Sequence, residues 1–160
     1  MPVDTAKVEN RRKLKFENIE DILADVEHLN QGKFKTLGNW SGGQILKHLT
    51  IVMNGSIDGM PASFPWILRK LLGPPMKKRV LAKGMTPGFQ LPARAAKNLV
   101  PSETSWEEGV KGIRAAIRRL QTESKREPHI FFGAMTRDEW NRLHCHHASM
   151  HLSFLVPEPN

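Results

Sequence analysis

Apolar residues recur at helical spacing in four separate stretches of the chain. In the first, Ile19, Ile22, Leu23, Val26 and Leu29 share one face of a helix expected over 18–30. Asn18 can cap its start, and Gly32 follows its end. The preceding RRKLKF reads as an extended arm or a strand. The second stretch places Ile45, Leu49 and Val52 on one face, with His48 in the same stripe. Ser41 and Gln44 supply the S-x-x-Q capping box that opens it, while Gly55 and Gly59 leave its continuation beyond about residue 55 open. The third begins near Trp106, opened by Ser105 and Glu108, and buries Val110, Ile113, Ala116, Ile117 and Leu120. Its Arg114, Arg118 and Arg119 are expected to face water, with Arg114 also able to turn toward an anion. The fourth follows Thr136 and Glu139. Its stripe runs through Trp140, Leu143, His147, Met150, His151 and Phe154 until Pro157 stops it. Four amphipathic helices of this length predict an all-α chain packed as a four-helix bundle.

Residues 59–101 break the pattern. Seven prolines and several glycines interrupt them, making a long Pro/Gly-rich insertion between the second and third helices. WILRKLL at 66–72 and MKKRVLAK at 76–83 are expected as two short helices. The segment can form a lid over a pocket or fill the side of the bundle.

Charge sharpens that contrast. The chain carries a formal net charge of +8, and Gly59 to Ser102 holds eight basic residues and no acid. Such a stretch can attract an anionic small molecule, a nucleic acid or a phospholipid surface. It has no regular series of stacking rings, which argues against nucleic acid. A solvated basic surface is the plainest reading. The one cysteine, Cys145, excludes an intramolecular disulfide, and MPVDTAKVENRRKLKF has no apolar core of a secretion signal. The expectation is a soluble, cytoplasmic protein with no membrane-spanning segment and no membrane partner.

The candidate chemistry lies in the histidines. His147 and His151 are four residues apart, so both project from one helix face, the face of Trp140 and Phe154. His48 enters from the apolar face of another helix. Three neutral imidazoles meeting inside the bundle can bind a divalent metal, zinc or nickel before iron, and leave a position for water or substrate. His144 lies at the edge of the sector, His146 points away, and Cys145 is badly placed to join. The spacing is not the HExxH pattern, because position 148 is alanine. A satisfied core histidine is the competing reading for each residue.

The chain also resembles the DUF1569 branch of the DinB/YfiT-like superfamily. The resemblance rests on LKFENIEDILADVEHL, GNWSGGQILKHL, IDGMP, LRKLLGPPMKKRVL, PGFQLP, LVP, HIFFGAMTRDEW and LHCHHASMHLSFLVP. It covers about Leu14 to Pro157, implying one domain over 14–157 preceded by an arm, 1–13. It further implies a DinB-like four-helix bundle with a three-histidine metal site at His48, His147 and His151. Where the branch often reads HAEHHLSF, this chain reads HASMHLSF, so Ser149 replaces an acid and Met150 a histidine. Superfamily relatives include thiol-dependent transferases and maleylpyruvate isomerases. The leading expectation is therefore a metal-dependent enzyme, a transferase or hydrolase, acting on a small and potentially anionic substrate with a low-molecular-weight thiol as candidate cofactor. A non-catalytic metal-stabilised bundle and a nucleic-acid-binding protein are the alternatives, and a homodimer is compatible with any of them.

Other residues are assigned plainer roles. Asn39 and Trp40 shape the entry to the second helix, with lining of a cavity as the alternative. Asp58 forms a turn, with a polar site residue as the alternative, and His129 packs a loop or else reaches a substrate. Arg94 and Lys97 are exposed charges or else contact an anion, and Cys145 is a small buried residue rather than a nucleophile.

Overall fold

The sequence's capping signals locate the helices of the computed structural model, which describes residues 1–60, 64–88 and 97–159. The helices are α1 (Ile19–Leu29), α2 (Gly42–Asp58), α3 (Trp66–Lys83), α4 (Trp106–Thr122) and α5 (Arg137–Leu152). Four of them open with reciprocal capping boxes, at Asn18/Asp21, Ser41/Gln44, Ser105/Glu108 and Thr136/Glu139. In α2 the Gln44 N–H donates to Ser41 Oγ at 3.2 Å, and the Ser41 N–H donates to Gln44 Oε1 at 2.9 Å. Each box satisfies two N–H groups that a helix start leaves without intrahelical partners.

The apolar stripes of α1, α2, α4 and α5 meet in one core. Ile22, Val26, Leu46, Ile113, Ile117 and Leu152 are its most deeply buried members. A smaller cluster of Met135, Trp140 and Leu143 lies outside it and is covered by Val80 and Leu81 of α3. The chain is thus mostly helical, with α3 packed on the outside of α5. Among the described residues no helix is long and apolar enough to cross a membrane.

The structure corrects three expectations and settles the end of the second helix, which the sequence left open. The two short helices expected at 66–72 and 76–83 are one helix, α3, with Pro74 and Pro75 inside it. These prolines lack the N–H groups that would bond the carbonyls of Lys70 and Leu71. Both of those residues are exposed, so water can take up the lost bonds. The second helix runs past Gly55 to Asp58, because Gly59, at φ +95°, is the residue that ends it. The last helix stops at Leu152 rather than before Pro157. Leu155–Pro157 instead forms a strand, β2, antiparallel to β1 (Phe34–Thr36), with Lys35 opposite Val156. Finally, Arg119 does not simply face water, whereas Arg114 is exposed and turns toward a carboxylate as the sequence allowed. Arg114 forms a two-pronged pair with Glu27 at 2.6 and 2.7 Å. Arg119 grips both oxygens of Asp58 at 2.7 and 2.8 Å and also reaches Asn54 and Glu123. Asp58 therefore ties the end of α2 to α4.

RRKLKF resolves as an arm, not a strand. Arg12 binds both oxygens of Asp25 at 2.6 and 2.8 Å and the Leu152 carbonyl at 2.9 Å, bridging α1 and the end of α5. The Phe16 N–H donates to Ser149 Oγ at 3.2 Å. Val8, Leu14 and Phe16 pack against the main core.

The tightest approach lies between α2 and the start of α4. A Cβ on Gly43 would overlap the Thr104 carbonyl and come within 2.5 Å of the Ser105 carbonyl oxygen. A Cβ on Gly109 would meet Leu46 Cβ at 2.9 Å. Backbone cannot swing away as a flexible side chain can. Gly43→Ala should therefore destabilise the fold by about 1–3 kcal/mol or more, an overpacking cost, read as a lowered urea midpoint. Gly32→Ala, where an added Cβ meets nothing within 4 Å, is the control and should leave the midpoint nearly unchanged.

Candidate metal centre

His48, His147 and His151 converge between α2 and α5. One ligand nitrogen from each lies within 4.8 Å of the others, and no carboxylate or thiol among the described residues joins the group. The rings pack edge to face, with centroids 5.0 Å apart for His48–His147, 4.7 Å for His48–His151 and 4.6 Å for His147–His151. His48 and His147 are buried, and His151 is half-buried.

His48 is pinned by the backbone. Its Nδ1 lies 2.8 Å from the Leu99 carbonyl oxygen in a buried contact. A carbonyl only accepts, so Nδ1 carries the proton and Nε2 presents a bare lone pair. That Nε2 is 3.1 Å from His147 Nε2. Without a metal, the His147 Nε2–H donates across this gap. A divalent ion bound by imidazole at about 2.0–2.1 Å needs nitrogens separated by roughly 3.4 Å in a tetrahedral site and never beyond about 4.2 Å. The 3.1 Å pair is close to that spacing. A pair at the 4.8 Å bound would have to close by about 1.4 Å to reach the tetrahedral spacing. The chemistry of the donor set fits a metal ion.

Burial keeps the three rings neutral. It lowers the His48 pKa below the ordinary histidine value, against the opposing hydrogen bond to Leu99. It lowers His147 and His151 further, helped by mutual repulsion between the charged forms. His151 keeps some surface, but its ring is covered by Trp40, which stacks on it at 5.6 Å with planes 13° apart. The same indole touches His48 at 5.0 Å. Two surface hollows, of about 250 and 660 Å³, are lined by residues other than these three.

The remaining histidines do other work. His144 lies beside Ser56, with Nε2 3.1 Å from its Oγ, and stacks on Trp140 at 5.4 Å. Burial, reinforced by Arg126, lowers its pKa to about 3. His129 Nδ1 accepts from the N–H groups of Phe131 and Phe132 at 3.1 and 3.2 Å, making it a loop-packing residue. His146 points away from the trio, with its Nε2 3.2 Å from the Leu81 carbonyl of α3. Cys145 is buried, and desolvation pushes its thiol up to about 11, unsuited to attack. Asn39 both donates to and accepts from the Val3 backbone, at 2.9 and 2.6 Å, on an exposed edge. Lys97 is exposed, whereas Arg94 lies outside the described residues.

Of the groups around the trio, Trp40 was expected to shape the helix entry or line a cavity, and the Leu99 carbonyl was not anticipated. Trp40 occupies the position before an N-cap, from which an apolar side chain folds back over the first turns of its helix. That was its available signal. The Leu99 carbonyl had none, since a backbone acceptor leaves no mark on residue type.

The fold and its histidine cluster define a helical protein with a candidate metal centre. The chain belongs to the DUF1569 family, described as a protein of unknown function, which it matches over residues 8–158. No curated protein and no solved structure matches the chain significantly.

Burial of five neutral histidines has a consequence for stability. His48, His129, His144, His147 and His151 all have lowered pKa values in the fold and near 6.5 when unfolded. The unfolded chain then binds more protons, so stability is full above about pH 6.5 and falls as pH drops. The loss from His144 continues through its folded value of about 3. Urea titrations of metal-free protein should show a midpoint falling steeply from pH 7 to 5. Each such histidine contributes up to about 1.4 kcal/mol per pH unit. His144→Phe should flatten that slope by about one proton.

Proposed function

We propose that the chain is a DinB-like metalloprotein whose divalent ion, zinc or nickel, is held by His48, His147 and His151. On this reading it is an enzyme acting on a small molecule, a transferase or hydrolase. The observation that carries it is the convergence of three neutral imidazoles without a fourth His, Cys, Asp or Glu donor among the described residues. A closed structural site uses four protein ligands, whereas three leave room for water or substrate. An ion held there supplies a Lewis acid that activates water or lowers the pKa of a thiol. The chain's own residues supply the rest. Leu99 fixes the His48 tautomer, and Trp40 packs against His48 and His151. In the loaded site His147 carries its remaining proton on Nδ1.

Elemental analysis of protein purified without a metal-affinity column should find about one equivalent of transition metal. H147A and H151A should lose most of it, while H146A should keep it. Less than roughly a tenth of an equivalent in the wild type, even after reconstitution, removes the reading. So does wild-type stoichiometry and affinity in both H147A and H151A.

A second reading, a metal-stabilised bundle without catalysis, is favoured by one observation: no carboxylate among the described residues joins the cluster to serve as an acid or base. Cobalt substitution separates the two. On the enzymatic reading, adding a small thiol or azide should shift the visible spectrum of the cobalt protein, because a position is open. An unchanged spectrum at saturating ligand, with full cobalt occupancy, selects the structural reading.

A further inference from the structure

The first half of α3 shows an apolar surface that the core does not use. Trp66 is 64 % exposed, Ile67 52 %, Leu71 69 % and Leu72 53 %. Ile67 and Leu71 are four residues apart, as are Leu68 and Leu72, so all four crowd one side of the helix. The opposite side carries Gly73, packed so closely that a Cβ would lie 2.7 Å from the Phe131 carbonyl oxygen, and Val80 and Leu81 of the smaller cluster. The helix is therefore held by its inner face with its aliphatic face outward. Isolated exposed leucines are ordinary, but a contiguous group marks a contact surface.

Charge identifies the occupant. Lys70, Lys78, Arg79 and Lys83 are exposed and have no ion-pair partner among the described residues, whereas Lys77 is held by Glu139. No acid occurs between Gly59 and Ser102. A second copy docking through the same patch would set these cations against themselves. A nucleic acid would satisfy the cations but not four aliphatic side chains, which offer bases nothing to stack on. An acidic bilayer surface satisfies both. Aliphatic groups enter the acyl boundary, and lysine and arginine lie at the phosphates. We propose that the outward face of α3 docks the protein peripherally on a membrane surface rich in anionic phospholipid.

The test uses the 160-residue chain as purified and sedimentation with vesicles of phosphatidylcholine, alone or mixed with phosphatidylglycerol. Wild-type protein should sediment with the mixed vesicles, weaken as salt rises, and stay in solution with phosphatidylcholine alone. K78Q/R79Q should bind the mixed vesicles roughly thirtyfold more weakly. L71S/L72S keeps every charge and should bind about tenfold more weakly or worse. All four positions are exposed, so unchanged thermal melts will show that both variants fold. No sedimentation with mixed vesicles at low salt overturns the proposal. So does L71S/L72S binding like wild type, the mark of charge attraction alone. A wild-type dimer in light scattering that L71S/L72S dissolves assigns the face to a second copy instead. Tighter binding to a DNA duplex than to the mixed vesicles at the same salt also overturns it.

Discussion

Along one edge of α2, the helix lies against the chain segment that leads into α4, and three contacts set the register. Gly43 meets the Thr104 and Ser105 backbone, Gln44 Nε2 donates to the Pro101 carbonyl at 3.4 Å, and His48 Nδ1 donates to the Leu99 carbonyl at 2.8 Å. Reading forward along α2, the partners run backward from 105 to 99. The first contact is possible only without a Cβ. It brings helix and segment close enough that, little more than a turn later, a backbone carbonyl meets an imidazole nitrogen. That carbonyl settles which nitrogen of His48 is bare, and the bare nitrogen faces His147. A packing constraint at a glycine thus reaches the candidate metal centre through a few residues of backbone.

Local rules acting within a few residues were legible in the sequence. The capping boxes at Ser41, Ser105 and Thr136 are complete four-residue signals, and each opens a helix. The face shared by His147 and His151 follows from a spacing of four, and His48 from its place in an apolar stripe. What escaped depends on partners distant in sequence. Pro74 and Pro75 read as a break, because the exposure that makes their missing hydrogen bonds tolerable is a tertiary fact. The strand at Leu155–Pro157 read as helix, because its pairing partner lies at Phe34–Thr36. Arg119 read as a solvated charge, because Asp58 and Asn54 come from another helix. Trp40 read as a helix-entry or cavity-lining residue, because its ring contacts on His48 and His151 exist only once α2 and α5 are adjacent.

Burial gives the histidines two opposed properties. Desolvation makes His48, His147 and His151 neutral at ordinary pH, the state in which imidazole can donate a lone pair to a metal. The same desolvation is a cost whenever protons are abundant. His144 and His129 pay it without joining the cluster, one beside Ser56 and the other inside a turn. Their neutrality serves packing: each ring stacks on an aromatic neighbour, His144 on Trp140 and His129 on Phe132 at 4.3 Å.

Two residues next to the ligand pair bear on what the centre could attract. Ser149 Oγ accepts the Phe16 N–H and helps hold the arm. Met150 packs against the main core. Neither contact brings a charge to the cluster, which among the described residues is left with imidazoles alone. A divalent ion held by three neutral donors would keep its full double charge, with no carboxylate or thiolate donor to offset it. Burial would strengthen that field by thinning the water that screens it. A ligand entering the open position would therefore gain most if it were an anion, or an acid such as a thiol or water that becomes one by giving up its proton. The composition of the cage, more than the shape of any hollow near it, would then set the class of molecule that binds.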